Sequence, residues 1–154
     1  MLFHVSETPG ISHFEPRVSD YTDRPVVWAI SADKLRNYLL PRDCPRVTFF
    51  AAPGSTKDDI ARFLPEGRPV VAIEAGWLKR VEAARLYLYR FRKAGFSLLD
   101  DTAGYFVSHT AIRPEAVEIV DDLPQALETK GVDLRILPNL WGLHDEIRAS
   151  SLGF

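Results

Sequence analysis

The side chains of this 154-residue sequence that could do chemistry are four histidines, one cysteine, two serines within reach of a histidine in principle, and a spread of arginines and aromatic rings. His4, His13, His109 and His144 are never two to four residues apart, and Cys44 has no cysteine or histidine at ligand spacing. No metal motif is therefore expected. Ser6 or Ser108 with a histidine would supply a nucleophile and a base, but the sequence has no Gly-x-Ser-x-Gly turn to expose the hydroxyl. Cys44 sits in Pro41-Arg42-Asp43-Cys44-Pro45-Arg46, where two arginines would favour a thiolate. A lone cysteine is nonetheless expected to be a small buried hydrophobe. The most informative constellation is His4 on a first strand, Trp28 on a second and Tyr38 on the helix after it. A buried imidazole must find a hydrogen-bond partner, and an aromatic pair beside it would offer a flat ligand a stacking surface; core packing accounts for Trp28 and Tyr38 equally well.

These residues need strands and helices to hold them. Leu2 to Val5 reads as a first strand, followed by a long loop through Pro9-Gly10, Pro16 and Arg24-Pro25. The segment Glu7 to Arg24 is a candidate site wall, with a packed surface loop as the simpler expectation. Pro25 to Ile30 is an apolar run of strand length, after which Ser31 caps a helix that places Leu35, Tyr38 and Leu39 on one face until Pro41. Val47 to Ala52 predicts the next strand. The helix after it is N-capped by Ser55 or Thr56, with Asp58 or Asp59 in its first turn, and ends near Leu64-Pro65.

Pro69 to Ile73 predicts another strand. Trp77, Val81, Ala84, Leu88 and Phe91 then recur at spacings of four and three, which predicts a long helix stopped by Gly95. Its exposed face would carry Lys79, Arg80, Arg85, Arg90, Arg92 and Lys93 against Glu82, with Tyr87 and Tyr89 interleaved. Such a face could hold phosphates or single-stranded RNA, or could simply complement the helix's negative end and stay solvated. Phe96 to Leu99 and Tyr105 to Ser108 predict paired strands about the Asp100 to Gly104 turn, with a further strand at Ala116 to Val120. A helix from Asp122, with Pro124 in its first turn, ends by Gly131; a strand at Leu134 to Leu137 and a helix from Asn139 to Ile147 complete the chain.

The whole predicts a single α+β domain over residues 1–154, with a mixed, mostly antiparallel sheet packed with helices. No glycine-rich phosphate turn follows a strand, which makes a dinucleotide fold of the alternating type a poor match. A chain of this size hides roughly 68–70% of its unfolded surface, and its 46% hydrophobic content supplies the core. The single cysteine rules out an internal disulfide and suits a reducing compartment. The first residues carry no basic and apolar leader, and no apolar run reaches the roughly 18 residues of a span, so a cytoplasmic, unanchored protein is expected. A formal net charge of −2 does not supply the broad positive field of a nonspecific nucleic-acid binder.

Leu2-Phe3-His4-Val5-Ser6-Glu7 and Tyr38-Leu39-Leu40-Pro41-Arg42-Asp43-Cys44-Pro45-Arg46-Val47-Thr48-Phe49 carry a resemblance, over nearly the whole chain, to an uncharacterised family of short bacterial proteins. More distantly, His4, the stretch Val26 to Tyr38 and the strand at Tyr105 resemble the diphtheria-toxin and poly(ADP-ribose) polymerase class of ADP-ribosyltransferases. The resemblance covers about a third of the chain. It implies that His4 holds the nicotinamide ribose, that Tyr38 stacks on nicotinamide, and that NAD is the cofactor. The sequence departs from that class at two positions: Val27 replaces the second-strand tyrosine, and Gly104 stands where the catalytic glutamate would be. Losing a carboxylate that stabilises a developing oxocarbenium charge commonly costs several kcal/mol. Asp100, Asp101 or Glu118 could substitute, although turn and solvent-face roles explain all three more simply.

The resemblance implies an ADP-ribosyltransferase-like core that binds a nucleotide or similar ligand through His4, Ser6, Trp28 and Tyr38, with Arg17 or Arg42 available for phosphate. If the protein is an enzyme, the implied reaction is transfer from NAD or attack on a nucleotide ribose, with no catalytic residue identified beyond the orienting His4. The alternatives are a non-catalytic module that binds a protein partner, such as a toxin-immunity partner, and RNA binding through Lys79, Arg80 and Arg85.

Overall fold

The computed structural model describes residues 1–154 in full. The chain gathers into two compact units, each drawn from two separated stretches: 1–42 with 85–121, and 43–84 with 122–154. The architecture is α+β with mostly antiparallel pairing, as the alternation of the sequence predicts.

The first unit is built on six strands: β1 (Leu2–Ser6), β2 (Val27–Ser31), β5 (Leu86–Phe91), β6 (Ser97–Asp100), β7 (Tyr105–Ser108) and β8 (Ala116–Val120). They form one antiparallel sheet in the order β6-β7-β2-β1-β5-β8. Directly opposed residues share a face of the sheet. His4 opposes Tyr89, Leu2 opposes Phe91, and Ala29 opposes Phe106, so one face is Leu2, His4, Ala29, Tyr87, Tyr89, Phe91 and Phe106. Most of these form a buried cluster, and Ile11, Phe14, Phe96 and Ile112 pack on it. The long loop after β1 is therefore a cover over this face. It is tied down by the Phe14–Ile112 and Arg17–Val26 bridges and by the Tyr89 hydroxyl, which donates to Thr8 O at 2.6 Å and accepts from Ile11 N at 3.2 Å.

The second unit holds β3 (Val47–Phe49), β4 (Val70–Glu74) and β9 (Asp133–Leu137), in the order β3-β4-β9 with the β4–β9 pair parallel. Its helices are α1 (Lys57–Phe63), α2 (Leu78–Ala83), α3 (Leu123–Thr129) and α4 (Trp141–Arg148). Thr56 caps α1 by accepting from Asp59 N, and Asp122 caps α3 by accepting from Gln125 N with Pro124 in the first turn. Both caps were legible as side-chain acceptors placed three residues before an orphan N–H. Phe49, Phe63, Leu64, Val70, Ala72, Leu140, Ile147 and Leu152 form the core. The tail is fixed by the Phe50–Gly153 bridge and by Asp59, whose carboxylate accepts from the Ser151 hydroxyl and amide.

Two local expectations are corrected. Ser31 occupies the N-cap position of Ala32–Tyr38 but makes no capping bond, and the segment is a 3₁₀ helix. The Ser31 hydroxyl is spent on the Asp33 carboxylate, which it holds below the usual range, and the seven-residue segment, long for a 3₁₀ run, is ended by Leu39-Leu40-Pro41.

The predicted long helix from Trp77 does not form. The helix α2 ends at Ala83, Ala84 turns extended (φ −75°, ψ 150°), and Leu86–Phe91 is a strand. Leu86-Tyr87-Leu88-Tyr89-Arg90-Phe91 satisfies a period of two as well as a period of 3.6, and its aromatic content fits a pleated surface. Five-residue pairing on both sides, with β1 and with β8, decides between them. No single basic helical face results: Lys79 and Arg80 are on α2, Arg85 precedes β5, and Tyr89 is 1% exposed, so its ring is not available to a base. Arg80 lies over the Trp77 ring, Arg85 is 3.8 Å from Asp121, and Arg90 and Arg92 both reach Glu115.

Candidate functional site

The site begins where β1 and β2 part. They pair only at Leu2–Ser31 and Phe3–Ile30, whereas β1 pairs with β5 along all five residues. Beyond Phe3 the place beside β2 is taken over by Arg17, whose backbone exchanges two 2.9 Å hydrogen bonds with Val26. His4 lies in this opening. Its Nδ1 is 3.4 Å from Trp28 O, and its ring packs on Phe14 with centroids 4.8 Å apart. Burial pushes the His4 pKa down; the Trp28 carbonyl opposes this, and the guanidinium charges of Arg17 and Arg42 add to it. The imidazole is therefore held neutral, with two cations near enough to act on it.

Ser6 lies two residues along the same face, where its hydroxyl accepts from Thr8 N at 3.0 Å. Arg17 and Arg42 are both exposed. The backbone amide of Arg42 donates to the Glu7 carboxylate at 3.4 Å. Glu7 and Phe14 were not singled out from the sequence. Only their position in the long loop marked them, because contact between that loop and the sheet is a tertiary matter.

Trp28 and Tyr38 are elsewhere. Trp28 alternates with Ala29 and so projects from the opposite face to His4, where its ring meets Tyr105 edge-on at 5.6 Å. The Tyr38 hydroxyl donates to the Tyr105 hydroxyl at 3.0 Å. Trp28, Tyr38 and Tyr105 thus meet on the face opposite His4 and Ser6; the charges of Arg17 and Arg42 act on His4, and the Trp28 carbonyl reaches it. A shallow hollow farther along the first unit is lined by Arg92, Ala94, Ala111, Ile112, Arg113 and Glu115, and it contains none of these residues.

Position 104, where the resemblance would expect a glutamate, has no room for a side chain. Gly104 is buried with φ +70°, and a Cβ there would lie 2.4 Å from Ser31 Oγ and 2.5 Å from Lys34 Cγ. Asp100 accepts from Ala103 N in the turn, Asp101 is exposed in the same turn, and Glu118 opposes Leu88 on the face away from His4. Cys44 is 3% exposed and burial pushes its thiol pKa up, so it is the buried small hydrophobe expected of a lone cysteine.

A pH dependence follows from His4. The unfolded chain takes up a proton near pH 6.5 that the folded chain refuses until lower pH, so this residue's contribution is flat above about 6.5 and destabilises increasingly below it. His4→Gln is expected to flatten this acid-side fall. Urea midpoints of both proteins between pH 7.5 and 5 check it, and parallel curves would show that His4 titrates normally.

No helix is long and apolar enough to cross a membrane. No curated protein and no solved structure matches the chain. A family model described as a family of unknown function, DUF6886, matches residues 3–154. The chain, with its parted strands and neutral His4, belongs to the DUF6886 family.

Proposed function

We propose that the first unit is an ADP-ribosyltransferase-like core that binds an anionic, nucleotide-like ligand, NAD being the candidate, on the His4 face where β1 and β2 part. The observation that carries this reading is a neutral, carbonyl-anchored imidazole with two exposed arginines at one opening in the sheet. A neutral imidazole with one nitrogen engaged keeps the other for a ribose hydroxyl, and guanidinium groups recognise phosphate oxygens in pairs. In this reading Trp28 contributes its carbonyl, and Tyr38 supports the sheet from behind.

Gly104 favours a second reading, in which the same surface binds without catalysing and serves a protein partner. With no room for a carboxylate at 104, transfer from NAD would need its acid group from another position, and Asp100, Asp101 and Glu118 all have other places.

Calorimetric titration with NAD, ADP-ribose and nicotinamide separates the readings. Arg17→Ala and Arg42→Ala are each expected to weaken NAD and ADP-ribose about tenfold, as the loss of a charged hydrogen bond would. His4→Gln is expected to weaken NAD, and Tyr38→Phe to change nothing. Absence of any saturable heat at about 1 mM ligand overturns the nucleotide reading and leaves the protein-binding one.

A further inference from the structure

The hollow where β5 ends and β8 begins has the make-up of a phosphate site. It is an open recess of about 370 Å³ lined by Arg92, Ala94, Ala111, Ile112, Arg113 and Glu115, at the lower end of the roughly 300–1,000 Å³ that holds small ligands. None of these residues belongs to the His4 opening, so nothing below rests on the nucleotide reading.

The backbone fixes the walls. Arg92 follows Phe91 out of β5 into a turn in which Phe96 N donates to Lys93 O at 3.1 Å, with Ala94 inside it. Ala111 and Ile112 come after β7, and Ile112 exchanges hydrogen bonds of 2.7 and 3.0 Å with Phe14. Glu115 N donates to Arg90 O at 2.7 Å and so leads β8 in beside β5. Three apolar side chains and two guanidinium groups therefore line one recess.

The charges are arranged as well as concentrated. Arg90 and Arg92 both approach the Glu115 carboxylate through Nε, at 3.8 and 3.2 Å, and the Glu115 side chain is 31% exposed. Because Nε is the inner nitrogen of the group, the terminal nitrogens of Arg92 are left for an anion. The Arg113 guanidinium makes no ion pair or hydrogen bond within the chain. Three guanidinium charges against one carboxylate leave an excess of two positive charges at one corner of a chain whose formal net charge is −2. A phosphomonoester carries about −1.5 to −2 at neutral pH and offers its oxygens in pairs to a guanidinium fork, whereas a carboxylate brings a single charge. We infer that this hollow binds a small soluble phosphomonoester, with the phosphate between Arg92 and Arg113 and the organic part against Ala94, Ala111 and Ile112.

NMR titration of the full chain with glycerol 3-phosphate tests this. Saturable shifts of the Ala94, Ala111, Ile112 and Arg113 amides are expected, with a dissociation constant of about 0.1–1 mM. Arg92→Ala and Arg113→Ala are each expected to weaken binding about tenfold, as the loss of a charged hydrogen bond would. Both side chains lie at the surface, so circular dichroism should not change. Inorganic phosphate, which lacks the organic part, and acetate, which lacks the second charge, are each expected to bind about fivefold more weakly or less. No saturable shift at about 20 mM glycerol 3-phosphate overturns the inference, as do shifts centred on His4 and Ser6, or an affinity that neither alanine variant lowers. Equal affinity for acetate overturns the phosphate assignment. Cosedimentation with phosphatidate vesicles, without binding of the soluble ester, would assign the phosphate to a lipid headgroup and overturn the soluble class.

Discussion

Alanine at position 104 is expected to cost about 3 kcal/mol, combining the left-handed backbone penalty with the overpacking of a closed site. Gly104 has φ +70°, its carbonyl accepts from Ser31 N at 2.9 Å, and the new methyl would press on Ser31 Oγ and Lys34 Cγ. Because the residue joins the Asp100 turn to β7 beside the start of the 3₁₀ helix, it cannot shift without moving β2. Urea unfolding should show a lower midpoint with an unchanged slope, the sign of lost stability rather than altered unfolded-state compactness. A cost below about 1 kcal/mol would mean that the turn re-forms around the methyl. The same geometry predicts that Gly104→Glu yields a less stable chain.

The second large effect is at Phe91. Its ring is 0% exposed, opposes Leu2 across the sheet, and meets Phe14 edge-on at 5.1 Å and Phe96 at 5.5 Å. Phe91→Ala is expected to cost about 3–5 kcal/mol, because a central strand leaves little room for collapse onto the cavity. Phe14 would lose the wall it rests on, and His4, which packs against Phe14, would regain water. Its pKa should then rise toward the usual value, measurable by proton NMR titration of the imidazole. A full stability loss with an unmoved His4 resonance would show that the loop is held by Tyr89 and the Phe14–Ile112 bridge alone.

The sign of the His4 contribution and the Phe91 cost lie on one chain of causes. The loop covers the sheet face, the cover desolvates the imidazole, and the desolvated imidazole stays neutral beside Arg17 and Arg42. Neutrality is also what the proposed ribose contact requires.

Much of the local structure was legible in the residues. Alternating or continuous apolar runs marked β1, β2, β4, β7 and β8, and Thr56 and Asp122 marked the starts of α1 and α3. The segment Leu86–Phe91 was not legible, since its apolar residues fit both periodicities and its fate rests on strands more than 25 residues away on each side. The candidate site divides in the same way. Sequence grouped His4, Ser6, Arg17 and Arg42 with Trp28 and Tyr38, and the sheet puts the Trp28 and Tyr38 side chains on the face away from His4 and Ser6.

By itself, then, the sequence determined the α+β class, the runs of β1, β2, β4, β7 and β8, the caps of α1 and α3, and a glycine at position 104. Each is a property of residue type or of near-neighbour spacing. Tertiary structure alone decided that β5 is a strand, that β1 and β2 part beyond Phe3, that Phe14 covers His4, and that position 104 has no space for a side chain. Those outcomes depend on register. A period of two states which residues alternate, and only pairing with a distant strand states which face each set looks toward.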